Sequence, residues 1–277
     1  MESDLHHTPM LNTKRRSRES IEEMLAETRL AGDNLAHSRA TNVQNVYRLV
    51  AGEQGVTLGI DLIHRELERT SLDPQFVLDL IAGITGCSTD LSREDGQGYI
   101  SPHAVYNGLR AASVVLRRAI EDGSSVIFAS GHPKNMLPAY QDLAEYMQSK
   151  GCELIAPSPD GIETEEARLE LRGAVYVATR DSEPVHTHGH ELMEELLRRA
   201  PLPTIAVADH GFGGATLNLG VRTVCVMDTN DPGVAVAATL GAPVTIVPLN
   251  DNCPGDVVRE IADVLVEFIE RPESDTE

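Results

Sequence analysis

The sequence predicts an α/β fold: a doubly wound, mainly parallel, Rossmann-like sheet preceded by an N-terminal helical subdomain. Two observations carry this. From Ser124 onward, short β-branched apolar runs recur (SVIFAS, CELIAP, GAVYVAT, PTIAVAD, RTVCVMD and APVTIVPL), most of them separated by segments that suit helices. Such alternation implies a buried parallel sheet with helices on its faces. Before Ser124 the periodicity is helical, in EEMLAETRLAG, TNVQNVYRLVAGE, IDLIHRELERT, DPQFVLDLIAGITG and HAVYNGLRAASVVLRRAIEDG. Only the segment around SREDGQGYISPHAV breaks it, with two glycines and a proline.

Taken in order, residues 1–17 are polar and basic and read as a disordered arm. Ser20, followed three positions later by Glu23, has the form of a capping box and marks the expected start of the first helix. The helical subdomain is expected over 18–122, the α/β domain over 123–271 and a solvated tail over 272–277. Inside the α/β domain, helices are expected in PKNMLPAYQDLAEYMQSKG, GHELMEELLRRAP, FGGATLNLG, DPGVAVAATLG and GDVVREIADVLVEFIER. GIETEEARLELRG instead alternates like an edge strand or hairpin.

Composition narrows the partners. With 277 residues, 41% of them hydrophobic, the chain can build one large core. Its 23 basic and 43 acidic side chains give a formal charge of −20, which repels phosphate backbones and anionic membranes. Nucleic acid and membrane are therefore not expected as partners, and a homo-oligomer is left open. The N-terminus lacks the apolar core of a signal peptide, and no apolar run has the roughly 18 residues of a membrane span, so the expected location is cytoplasmic. Cys87, Cys152, Cys225 and Cys253 are scattered without a C-x-x-C pair, which argues against a zinc knuckle and a disulfide framework.

In an open parallel sheet, ligands bind beyond the carboxyl ends of the strands. The chemically informative residues fall there. SVIFAS runs into Gly131-His132-Pro133, TIAVAD into His210-Gly211-Phe212-Gly213-Gly214, VCVMD into Thr229-Asn230-Asp231-Pro232-Gly233, and TIVPL into Asn250-Asp251-Asn252. Gly131, Gly211, Gly213 and Gly214 are candidates to offer backbone amides to a phosphate, aided by the helix N-termini that follow. The bland alternative is that they only make tight strand-to-helix turns.

HTHGH, 186–190, sets His186, His188 and His190 at alternate positions, so in an extended segment their side chains share one face. Imidazoles on one face suit zinc, manganese or iron, with Asp209, Asp228 or Asp231 as the oxygen ligand. Two alternatives stand beside metal ligation: catalytic or phosphate-contacting histidines without metal, and ordinary loop histidines. His190, at the start of ELMEELLRRA, is the weakest candidate.

Several motifs are missing: D-x-D-x-[TV], a complete H-x-H-x-D-H, the nucleophile elbow G-x-S-x-G and the dinucleotide fingerprint G-x-G-x-x-G. One likeness extends over roughly residues 25–270. GHP (131–133), HTH (186–188), ADHGFGGA (208–215), the NDP element (230–232) and PLNDN (248–252), in that order, resemble a group of mostly actinobacterial proteins commonly labelled phosphatase. The front segment AGDNLAHSRATNVQNVYRLV (31–50) resembles the start of the same group. His190 falls outside the likeness.

That resemblance implies phosphoester hydrolysis. The expectation is a hydrolase acting on a small phosphorylated metabolite, with His132 and His210 contacting the phosphate or serving as general acid. His188 would be a ligand or the base that activates water. Asp209, Asp228, Asp231 and His186 would hold a divalent cation, magnesium or manganese, which would also offset the acidic charge near an anionic substrate. A non-catalytic sensor of a nucleotide or sugar phosphate is the alternative.

Overall fold

The computed structural model describes residues 16–271; most of the expected N-terminal arm, 1–15, and the tail, 272–277, lie outside them. Helix α1 (Arg18–Glu27) begins earlier than the capping box suggests, because Ser17 is extended and its hydroxyl accepts the Ser20 amide at 3.2 Å. Ser20 is already inside the helix. Arg16, just before it, binds Glu267 through both its backbone amide and its guanidinium.

The front half continues with β1 (Gly32–Ser38), α2 (Arg39–Val50), α3 (Gln54–Thr57), α4 (Asp61–Arg69), α5 (Pro74–Thr85), β2 (Gln97–Ile100) and α6 (Pro102–Glu121). β1 and β2 form an antiparallel pair, an element the helical reading of this half did not include. Proline stands at the start of α5 and α6, where its missing N–H costs nothing, and Gly86 closes α5 at φ 77°.

The second half alternates as expected: β3 (Ser125–Ser130), α7 (Pro133–Ser149), β4 (Glu153–Leu154), β5 (Arg168–Arg172), β6 (Val175–Arg180), β7 (Glu183–Pro184), α8 (Glu191–Arg198), β8 (Ile205–Asp209), α9 (His210–Asn218), β9 (Arg222–Met227), α10 (Pro232–Thr239), β10 (Val244–Pro248) and α11 (Gly255–Glu270). The sheet runs β10-β9-β8-β3-β6-β5, with β4 against β3 and β7 against β6. β10, β9, β8, β3 and β6 are parallel, whereas β5 is the antiparallel edge that GIETEEARLELRG predicts.

Both sheet faces are covered. Val126 and Phe128 of β3 point into a core shared with α1, α6, α7 and α11, while Ile127 and Ala129 point into the opposite core with α8 and α9. A third cluster packs α2, α4 and α5 on α10, with Cys225 and Met227 of β9. The front-half helices thus share their hydrophobic clusters with the sheet. Strand order turns at β3, whose neighbours are β6 on one side and β8 on the other. In a doubly wound sheet this is where a crevice opens at the carboxyl edge.

Candidate metal centre

Chain geometry at the carboxyl ends of β3 and β8 is fixed by Asp209, the last residue of β8 and fully buried. Its Oδ1 accepts the amides of Gly131 and His132 at 2.8 and 3.0 Å and lies 3.1 Å from His210 Nδ1. The GHP turn after β3 and the first residue of α9 are thereby pinned together. His210 adopts φ 50°, a left-handed conformation that costs a non-glycine residue of order 1–3 kcal/mol and persists where its surroundings impose it.

The HTH loop docks on the same turn. Thr187 N donates to Gly131 O at 2.8 Å, and a Cβ on Gly131 would lie 2.6 Å from Thr187 O and 2.8 Å from His210 Cβ. Gly211 is as constrained, since a Cβ there would fall 2.3 Å from the carbonyl oxygens of both His188 and Gly189. Absent side chains let the loop lie on the helix start, and this carries four imidazoles into mutual contact.

His132 and His186 stack at 4.4 Å with 14° between their planes. His210 stands edge-on to His132, His186 and His188, at 5.3, 4.8 and 4.8 Å. Two donor sets result, each with ligand atoms within 4.8 Å of one another: His132, His186 and His210; and His188, His210 and Asp231. Asp251, from the loop after β10, sets Oδ2 3.4 Å from His132 Nδ1 and 3.7 Å from His210 Nε2, and Asp231 Oδ2 lies 3.8 Å from His210 Nε2.

Hydrogen bonding leaves much of this cluster unsatisfied. Asp231 Oδ1, Asp251 Oδ2, His132 Nδ1 and His188 Nδ1 are buried and make no hydrogen bond. Native interiors rarely strand so many polar atoms together, because each costs about 1–3 kcal/mol. A bound cation would satisfy them, so the residues present fit a metal.

Burial lowers the His186 pKa to about 3, reinforced by the neighbouring imidazoles of His210, His132 and His188. Burial also lowers that of His188, against the pull of Asp231. At His210, burial opposes protonation, but Asp231, Asp209 and Asp251 together overcome it and hold the imidazole up at about 10. Burial raises the Asp228 carboxyl well above its usual range, with the charges of Asp251 and Asp231 adding to the effect. Asp251 is driven below its usual range by His132, His210 and His37 despite its burial.

Of the expected ligands, His186 and Asp231 join the donor sets, as do His132, His188 and His210. Asp209 and Asp228 lie outside both donor sets. Asp209 is occupied in orienting His210 and the GHP turn, and Asp228 receives Asn34 Nδ2 on both oxygens, at 2.8 and 2.7 Å, and Thr229 Oγ1 at 2.9 Å. The four glycines expected to offer amides to a phosphate lie in the GHP turn and in α9. Gly131 spends its amide on Asp209, while Gly211, Gly213 and Gly214 are buried in α9, where they permit close approach of the HTH loop, of Cys225 Sγ at 3.0 Å and of Leu58 O at 2.1 Å to a notional Cβ. His190 sits apart, against Gly59 and Glu194.

Four further residues complete the site: Asp251 and Asn252 after β10, and Asn34 and His37 of β1. Asn252 Nδ2 lies 3.1 Å from His37 Nε2, which is 4.0 Å from Asp228 Oδ2. Asn34 is fully buried and its Oδ1 accepts the amides of Ala36 and His37. PLNDN and AGDNLAHSRATNVQN carried the signal for all four, as polar residues in segments resembling the phosphatase-labelled group.

Comparison with known proteins agrees. The family described as Phosphatase matches residues 16–272 of this chain. A Streptomyces coelicolor protein named as a phosphatase is 34% identical over 241 residues, covering 85% of this chain and 89% of that protein. No solved structure matches. Among the described residues, no helix is long and apolar enough to cross a membrane.

Proposed function

This chain belongs to the family described as Phosphatase, and on that premise we propose that it hydrolyses the phosphate ester of a small phosphorylated metabolite with the help of a divalent cation. The observation that carries the reading is the convergence of four buried, unbonded polar atoms from Asp231, Asp251, His132 and His188 at the carboxyl edge of the sheet.

His132, His186, His188, His210, Asp231 and Asp251 would hold the cation. When bound, it would offset the charge of a phosphoryl group and make a water molecule more acidic. Imidazole donors suit manganese better than magnesium, which prefers an all-oxygen, octahedral shell.

The chain's own groups supply the rest. Asp209 keeps the His210 ring in one orientation through Nδ1, the usual task of a carboxylate behind a ligating histidine. Asn34 keeps Asp228 in place from the opposite strand pair. His37, partly exposed and beside Asn252, is the imidazole set to exchange a proton with the departing alcohol. None of the buried carboxylates Asp209, Asp228, Asp231 and Asp251 is paired with lysine or arginine among the described residues, so charge complementarity to phosphate depends on the cation.

The test is phosphate release by the purified chain from a panel of phosphorylated metabolites, with manganese, with magnesium and with chelator. Release that chelator abolishes is expected. Specific binding of a panel member without any turnover would instead make the protein a sensor of that metabolite.

A further inference from the structure

We propose that the cluster binds two divalent cations, one held by His132 and His186 and the other by His188 and Asp231, with His210 and Asp251 between them. The proposal deepens the metal-assisted reading and rests on it.

Donor geometry is the first argument. Nitrogen and oxygen donors sit about 2.0–2.2 Å from a transition-metal ion, so the ligands of one ion are at most about 4.4 Å apart. The two donor sets have only His210 in common. An ion taken by His132, His186 and His210 therefore leaves His188 and Asp231 unused, and an ion in the second set strands the stacked His132 and His186 pair. Those imidazoles crowd together at 4.4–4.8 Å although His186 keeps access to solvent.

Asp251 supplies the second argument. Its unbonded Oδ2 faces His132 Nδ1 of the first set at 3.4 Å and His210 Nε2 at 3.7 Å, and the residue is 1% exposed. A carboxylate so placed adds an oxygen donor to the first ion beside His210, the residue common to both sets.

Charge is the third. Asp209, Asp228, Asp231 and Asp251 are each at most 3% exposed, and no lysine or arginine pairs with any of them among the described residues. Buried carboxylates need compensation. Divalent ions held in the cluster would supply it. Paired ions about 3.5–4 Å apart are also an effective arrangement for an in-line displacement at phosphorus, since both attacking and departing oxygens can be stabilised.

The experiment uses the full chain, stripped with chelator, loaded with Mn(II), desalted and counted by plasma mass spectrometry, with electron paramagnetic resonance on the same samples. Two manganese per chain and a spin-coupled spectrum are expected. H186A and H188A should each retain one ion and give an uncoupled six-line spectrum, and H190A, outside the cluster, should keep two. Circular dichroism identifies any variant that fails to fold, and the wild-type count and coupling decide the matter without it. One ion per wild-type chain overturns the proposal and leaves the metal-assisted reading standing. No ion overturns both. Two ions without coupling, or two that survive in folded H186A and H188A, place the second ion elsewhere on this acidic surface and also overturn the proposal. Two coupled ions in a protein that releases no phosphate uphold it while the hydrolase reading fails.

Discussion

Asn34 Nδ2 donates to both carboxylate oxygens of Asp228, at 2.8 and 2.7 Å, and so ties β1 to the loop after β9. Both residues are essentially without solvent contact. Replacing Asn34 with alanine leaves a buried carboxyl short of a donor and should cost about 1–3 kcal/mol in urea denaturation. N34D should do worse, because it sets a second carboxylate against the first. An N34A protein as stable as wild type would remove the tie from the account.

Asp209 is expected to govern metal affinity without touching the metal. D209N retains the shape but weakens the hold on His210 Nδ1 and on the amides of Gly131 and His132. Loss of such a supporting partner typically weakens binding by 10- to 100-fold. Manganese titration of the stripped protein by calorimetry checks this; an unchanged affinity would show the orientation of His210 to be set elsewhere.

Two glycines on helices should respond to alanine in opposite directions. Gly214 in α9 has Leu58 O 2.1 Å from where a Cβ would sit, whereas Gly83 in α5 has nothing within 4 Å. G214A must push backbone apart and should cost about 2 kcal/mol or more, as overpacking of a core does. G83A gains helix propensity and should stabilise by about 0.5–1 kcal/mol. Thermal melts of the two variants give the comparison.

Glu270 offers a pH test away from the site. Lys150 Nζ at 2.5 Å and Tyr146 OH at 2.8 Å hold its carboxyl below the usual range. A group with a depressed folded pKa adds stability above its unfolded value of about 4.3 and loses that contribution as pH falls through the folded value. E270Q should therefore melt a degree or two lower at pH 7, in keeping with the roughly 0.5 kcal/mol of a solvent-screened pair. The gap should close as pH falls through the lowered folded-state value of Glu270. A constant difference across that range would assign the effect to packing.

How much of this was legible in the sequence follows from how local each signal is. The β-branched runs and their intervening helices depend on periodicities of a few residues, so β3, β6, β8, β9 and β10 were readable, as was the edge strand β5. β1 was not, because GDNLAHS buries Asn34 and half-exposes or exposes its other residues, a pattern without alternation. Ser17 was passed over for Ser20 because both serines can cap and only backbone conformation chooses between them. At the site, HTH and GHP were visible as chemistry. That Asp251, and not Asp228, faces the imidazoles was not, since it depends on Asn34 reaching Asp228 from far along the chain. The glycines of α9 suit a phosphate cradle and close packing alike, because both require a missing side chain.

The contribution of Asp251 bears on how the protein matures. His132 belongs to the middle of the chain, Asn34 and His37 to its beginning, and Asp251 to its last stretch, before α11. A ribosome-bound chain that has released only its first strands carries histidines but not the carboxylate that stands between them. On the proposed two-ion reading, the complete site would form only after the segment that carries Asp251 has been synthesised, so that loading would follow folding of the sheet.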